Sequence, residues 1–318
     1  MCVIGLGLIG GSVMRAADSA GWTVWGATIS PDDHAAATAD GFAVESTVDD
    51  ALRRAAAQDA LVLLAVPLSV VDDVLALLAR HAPSCRLTDV VGVKEPVAGA
   101  VRRCAPGARY VGGHPMAGSS ASGWPAGCAG LFDDAAWVLA ADDGIDRSVW
   151  TDVAKLALDC GASVVAATAA EHDAAVARVS HLPHLLAGVL ASVGAGGGPL
   201  ALALGAGSFI DGTRVAGSRP ELVRAMCEGN RAALIDALDD ALGRLGAARA
   251  SLASTGSLES TTRAGHLARR AFDAAHGGDG ATLQVDLTAG TAFERLREIG
   301  RAGGRVTALH GTRCEVVL

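Results

Sequence analysis

Val3-Ile4-Gly5-Leu6-Gly7-Leu8-Ile9-Gly10-Gly11-Ser12 reads as a short apolar strand, a Gly-x-Gly-x-x-Gly turn and the opening of a helix. Gly5 permits the tight turn and Gly7 lets backbone N–H groups approach a pyrophosphate. Gly10 lets the helix pack closely on the strand, and the helix N-terminus adds partial positive charge. With 40 glycines in the chain the motif alone is weak. Its place between a first strand and a helix makes it a dinucleotide-binding signature. Only Met1 to Ile4 precede the turn, so either the first strand is short or the true start lies upstream. Candidate cofactor-binding residues are Gly5, Leu6, Gly7, Leu8, Ile9 and Gly10, with Val66 and Pro67 at the end of the third strand.

Working outward, apolar runs at 3–4, 23–27, 60–66, 87–91, 109–112, 136–140 and 163–167 alternate with helical stretches. Such alternation predicts a doubly wound parallel sheet covered by helices on both faces. After Thr168 the strand signals stop, and 171–193, 220–243 and 245–275 carry helical periodicity. The pattern of 282–287, 292–300, 305–309 and 313–318 is strand, helix, strand, strand. The expected organisation is a dinucleotide-binding domain over 1–168, a helical domain over 169–276 and a small appendage over 277–318, with a linker at 277–280.

The 318 residues include 51% apolar but only 3% aromatic side chains, so the interior is built from Ala, Val and Leu. A net charge of −8 without a basic stripe argues against a nucleic-acid partner. Seven scattered cysteines with no Cys-x-x-Cys pair point to a reduced cytoplasm. No secretory signal is expected. The stretch 179–210 lacks Asp, Glu, Lys and Arg and is long enough to span a bilayer. Its histidines, prolines and glycine break predict instead a soluble helix buried on all sides.

For a typical NAD enzyme the second strand ends in an acid that binds the adenosine ribose. Here it ends at Thr28, followed by Asp32 and Asp33, and no Lys or Arg lies between Arg15 and Arg53. A ribose diol could bond to Thr28 or Ser30, whereas a 2′-phosphate finds no cation. NAD is the expected cofactor, with NADP as the alternative.

Three motifs fall where an open parallel sheet binds ligands. They are Gly112-Gly113-His114-Pro115-Met116-Ala117-Gly118, Ser180-His181-Leu182-Pro183-His184, and Gly207-Ser208-Phe209-Ile210-Asp211-Gly212-Thr213-Arg214. A histidine of near-neutral pKa can take a proton in a transition state. A guanidinium grips a carboxylate through two parallel hydrogen bonds. His114, between glycines and Pro115, is a poor packing residue, whereas His181 reads equally as a satisfied core histidine. Arg214 has a structural ion pair to Asp211 as its rival role. The His181/His184 spacing suits two metal ligands, but no third is evident, so no metal is expected. Lys94 and Lys155 are the only lysines among 26 basic side chains, which marks Lys94, beside the expected nicotinamide end, as a candidate catalytic residue.

In these motifs, in this order behind the glycine fingerprint, the sequence resembles the prephenate/arogenate dehydrogenase family of tyrosine biosynthesis, in an actinobacterial-like form, from Val3 to about Ala275. The resemblance implies an α/β fold: a Rossmann-type doubly wound parallel sheet domain followed by an all-helical dimerisation domain, assembled as a homodimer. It implies that His114 accepts the proton of the substrate's ring hydroxyl as hydride leaves the same carbon, after which loss of carbon dioxide makes the ring aromatic. It places His184, Ser180 and Gly207 in the substrate pocket and Arg214 on a substrate carboxylate. The family's Asp-x-x-Ser-x-Lys segment reads Asp89-Val90-Val91-Gly92-Val93-Lys94 here, so a hydroxyl used near the catalytic histidine is missing at Gly92. Ser119 and Ser120 stand where charged residues often occur, which leaves prephenate and arogenate both open as substrates. Tyrosine feedback is equally open. The tail is too short for a full ACT domain.

Two other readings compete. A β-hydroxyacid dehydrogenase needs a lysine on a helix after the sheet, and no lysine follows Lys155. A nucleotide-binding regulator with a decayed site is motivated by Gly92 and opposed by His114, His184 and Arg214.

Overall fold

The computed structural model describes residues 1–119, 121–275 and 280–318. Ser120 and most of the linker expected at 277–280 lie outside the described residues. The chain divides into two compact units, Met1–His172 with Ala281–Leu318, and Asp173–Gly280.

The first unit holds two sheets. Strands β1 (Cys2–Ile4), β2 (Trp25–Ala27), β3 (Leu61–Leu64), β4 (Arg86–Asp89) and β5 (Arg109–Val111) form a parallel sheet of order β2-β1-β3-β4-β5. β1, β2 and β3 are buried and carry no polar side chain, because helices cover both faces. The short β1 suffices because both its edges are paired, Cys2 with Trp25 and with Val62. The strand order reverses direction at β1, so the crevice between the loops after β1 and β3 is the expected ligand position of such a sheet.

A second sheet begins at β6 (Gly113–Pro115), a strand the periodicity does not reveal. It runs antiparallel to β7 (Ala136–Ala140), which is parallel to β8 (Ser163–Ala167). Its far side is supplied by β9 (Thr282–Asp286), β10 (Arg305–His310) and β11 (Arg313–Val317), in the order β6-β7-β8-β10-β11-β9. The C-terminal segment is thus part of the first unit rather than a separate appendage. Val306 pairs with Val164, and the amphipathic helix Ala292–Arg301 buries Ala292, Leu296 and Ile299. Gly300 lies so close to β8 that a Cβ there would sit 2.1 Å from the Ala166 carbonyl oxygen.

The second unit is all helical. Its first helix continues from Ala169–Val176, whose first four residues belong to the first unit, through a π-turn at Ala177–His181 into Leu182–Gly196. Pro183 explains the turn, since it lacks an N–H and its ring displaces the carbonyl one turn back. Helices Gly198–Ala203, Gly207–Thr213, Pro220–Gly229, Arg231–Thr255 and Glu259–Ala275 follow. A break at Asn230 replaces the one expected near Gly243. The buried Asn230 side chain donates to the Asp173 carbonyl at 2.7 Å and lies 3.2 Å from His181 Nδ1, a tertiary contact that fixes the corner.

By length and composition Ala169–Gly196 would pass as a membrane span. Its first half carries Glu171, Asp173 and Arg178, which lipid disfavours. The expectation of a helix buried on all sides is not met within this chain: in Leu182–Gly196 only Ala187 is buried.

Candidate active site

The glycine turn has the shape a dinucleotide needs, for three different reasons. Gly5 has φ +97°, and a Cβ there would lie 2.4 Å from the Ala65 carbonyl oxygen and 3.1 Å from Val66 Cγ1, so the turn presses against the loop after β3. A Cβ at Gly10 would lie 1.9 Å from the Gly5 carbonyl oxygen, so the helix Leu8–Ser19 can seat on the turn only with glycine there. At Gly7 a Cβ would meet nothing within 4 Å, which is the open side of the cradle. The helix has no side-chain cap and no acid in its first turn. Its leading N–H groups are therefore left for an anion.

At the end of β2, Thr28 Oγ1 accepts the Ser30 N–H at 3.2 Å, and Ser30 Oγ caps the helix Pro31–Ala39 through the Asp33 N–H at 3.2 Å. Asp33 is occupied by the Trp124 N–H at 2.6 Å. Arg15, the cation nearest in sequence, stacks 3.7 Å from the Trp124 ring centre and pairs with Asp40 at 3.0 Å.

His114 sits mid-strand on β6, opposite Val138, and is half-buried. The two glycines before it are dictated by what lies beneath. A Cβ at Gly112 would come within 2.8 Å of the Tyr110 hydroxyl and 3.1 Å of Lys94 Cδ, and one at Gly113 within 2.8 Å of the Asp89 carbonyl oxygen. Under the strand, Lys94 is only 1% exposed and Asp89 fully buried. The Lys94 ammonium is ion-paired with Asp89 and donates to the Gly113 carbonyl at 2.6 Å. Asp89 also accepts the Val91 N–H at 2.8 Å and the Tyr110 hydroxyl at 2.6 Å. Lys94, expected among the catalytic groups, is therefore directed to the strand that carries His114. Burial and pairing explain why its ammonium was kept.

The His114 ring meets His172 on one side and Gly92 on the other. Its Nδ1 lies 2.8 Å from Nε2 of His172, with the rings edge to face at 5.0 Å. A Cβ built on Gly92 would rest 3.7 Å from both Cε1 and Nε2, an ordinary contact, and the Gly92 backbone is outside the left-handed region. The position of the missing serine thus borders the Cε1–Nε2 edge of the imidazole. His172 is the residue that sequence reasoning missed. Thr168-Ala169-Ala170-Glu171 is a capping box whose Thr168 N–H donates to Glu171 at 2.8 Å and whose Glu171 N–H donates to Thr168 Oγ1 at 3.1 Å. That signal marks the helix start, but only the tertiary distance shows that the next residue reaches His114.

In the helical unit, the carbonyl of Ser180 accepts a hydrogen bond from His184 Nδ1 at 2.9 Å, which fixes the tautomer and leaves Nε2 as the second polar atom. Ser180 Oγ itself contacts Met226 Sδ at 3.9 Å. His181 is 1% exposed and belongs to the Asn230 corner. The third motif, expected between helices, is itself the helix Gly207–Thr213 running into a 3₁₀ turn from Arg214. Gly207 opens it, and a Cβ there would meet nothing within 4 Å. Arg214 is exposed, and among the described residues no ion pair joins it to Asp211. Likewise, no group of three or more His, Cys, Asp or Glu converges as a metal site among the described residues. Burial pushes the thiols of Cys2, Cys85, Cys160 and Cys314 up to about 12, so none is a thiolate at neutral pH.

Comparisons with known proteins agree across both units. Residues 15–166 match the family model described as prephenate dehydrogenase, nucleotide-binding domain, and residues 168–260 match prephenate dehydrogenase, dimerization domain. The cyclohexadienyl dehydrogenase of Zymomonas mobilis is 30% identical over 80% of this chain and 88% of its own length. The prephenate dehydrogenase of Bacillus subtilis is 31% identical over 74% of this chain, which spans 65% of that relative. A crystal structure from Corynebacterium glutamicum, provisionally named a prephenate dehydrogenase, superposes with a TM-score of 0.90 at 43% identity, covering 96% of this chain and 97% of the other. The glycine cradle, the histidine on β6 and matches running through both units lead to one assignment: the chain belongs to the prephenate dehydrogenase family.

Proposed function

We propose that the chain is an NAD-dependent prephenate or arogenate dehydrogenase, acting in the cytoplasm as a homodimer. The observation that carries this reading is His114, whose Nδ1 is held by His172 while its Cε1–Nε2 edge borders Gly92, in the unit that bears an open glycine cradle. Bound in that cradle, NAD would supply the hydride acceptor. Leu8, Ile9 and Gly10 would offer N–H groups to its pyrophosphate, Val66 and Pro67 would flank it, and Thr28 would take the ribose diol. The engagement of Arg15 with Asp40 and Trp124 supports NAD over NADP, because the cation nearest in sequence to the end of β2 is already paired.

His114 Nε2 takes the ring-hydroxyl proton while the C–H bond at the same carbon breaks as hydride. The bond to the ring carboxylate then breaks, its electron pair enters the ring, and carbon dioxide leaves. Lys94 acts from below by holding the Gly113 carbonyl and Asp89. His184 and Arg214 bind substrate, Arg214 through a carboxylate, with Ser180 and Gly207 shaping the pocket. All seven cysteines are unpaired, as a reducing cytoplasm requires. The exposed apolar faces of the helical unit support the dimer.

The test is absorbance at 340 nm with prephenate and arogenate, each with NAD and NADP. Turnover with either substrate, faster with NAD, is expected. A folded protein that turns over neither would overturn the reading.

A further inference from the structure

We infer that His172 is a positioning residue that sets the tautomer of His114 and shares the charge which His114 gains in turnover. The inference rests on the proposed role of His114. An N···N contact of 2.8 Å between two imidazoles contains one proton, so one ring donates and the other accepts. If Nε2 of His114 is the base, the resting neutral ring carries its hydrogen on Nδ1 and donates it to His172 Nε2. His172 is then the acceptor, with its own hydrogen on Nδ1. Without such a partner an imidazole can place its hydrogen on either nitrogen, and the Nε2–H form cannot accept a proton at Nε2.

When His114 Nε2 takes the substrate proton, no atom between the rings has to move. The Nδ1–H···Nε2 contact becomes a charge-assisted hydrogen bond and strengthens. That gain arises only as charge develops, so it lowers the barrier rather than tightening ground-state binding.

The surroundings suit a fixed acceptor. His172 is 3% exposed, and its N–H closes the first turn onto the Thr168 carbonyl at 2.9 Å. The helix start is pinned on three sides. Thr168 and Glu171 form the capping box, Asp142 accepts the Ala169 N–H at 3.2 Å, and Arg301 donates to Glu171 at 2.5 Å. Arg301 ends the helix of the C-terminal segment, so that segment braces the ring behind the catalytic histidine. Among the described residues, the charged and titratable groups near the pair include Lys94, Asp89 and Tyr110 beneath β6, and Asp142, Glu171 and Arg301 at the helix start, with Asp173 next in the chain.

The experiment compares wild type, His172→Leu, His172→Gln and His114→Ala, with kcat and KM measured across pH and nucleotide binding followed by titration. His172→Leu should lower kcat by about 10²-fold, within the range for a positioned acid/base system, with KM and nucleotide affinity little changed. The low-pH limb of kcat should also move to lower pH, because the His114 cation has lost its acceptor while the other charges stay in place. His172→Gln, which keeps an acceptor at the same reach, should recover most of the loss and the wild-type limb. Full turnover in His172→Leu beside an inactive His114→Ala overturns this inference alone, whereas full turnover in His114→Ala overturns the functional reading itself. If His172→Leu does not fold, nitrogen-15 NMR of the wild-type imidazoles decides: Nδ1–H on His114 supports the assignment, and Nε2–H overturns it.

Discussion

Trp25, Trp124, Trp137 and Trp150 of the nucleotide-binding unit are each at most 1% exposed, whereas Val193, Leu200, Leu204 and Ile210 of the helical unit are 62–73% exposed. The first unit closes its own core by trapping large side chains between two sheets and their helices. The second keeps long apolar helices but buries little of them within one chain. A surface of that kind calls for a protein partner. One unit buries its own large side chains, whereas the other leaves its apolar helix faces for the copy it is proposed to meet.

The sharpest way to break this contrast is inside the first unit. Replacing Lys94 with Ala leaves Asp89 charged and buried without its ammonium, and should cost about 3–5 kcal/mol of stability, read by urea unfolding. An unchanged midpoint would mean that the buried network is dispensable. In the second unit the expected damage falls on association instead. Val193→Asp removes an apolar contact worth about 1.5–3 kcal/mol, so the dimer dissociation constant should rise roughly 10- to 10²-fold. Sedimentation against concentration measures it, and a variant as dimeric as wild type would place the interface elsewhere.

Gly7 and Gly10 sharpen the contrast between shape needed for folding and shape needed for binding. Gly10→Ala pushes a methyl into the Gly5 carbonyl and should cost about 1–3 kcal/mol in the melting profile. Gly7→Ala meets no protein atom at φ −76°, so stability should hold while nucleotide affinity falls about tenfold, or about 1.4 kcal/mol. Equal effects on stability would remove the distinction. The smallest effect is expected at Gly92, where a serine has room and an ordinary backbone. Gly92→Ser should raise kcat/KM by up to about tenfold, for roughly 1 kcal/mol of hydrogen bonding to the substrate hydroxyl. A fall in kcat/KM would show that the glycine is required.

Local signals determined much of this protein. The glycine spacing, the strand-and-helix alternation of the first half and the helical periodicity after Thr168 follow from side-chain period and turn chemistry, which neighbours in sequence set. So does the elevation of His114 above the other histidines, since glycines and proline on either side deny it a packing role. The tail's strand, helix, strand, strand pattern is equally local. What that tail joins is not, because β10 meets β8 by pairing Val306 with Val164, and no period encodes a partner that far along the chain. The same holds for β6, too short to show alternation, and for Lys94, whose task depends on Asp89 and Gly113 lying around it. His172 makes the point most sharply. The capping box before it is written in the sequence, but its contact with His114 exists only once β6 and the helix start are brought together, because distance between side chains is a property of packing.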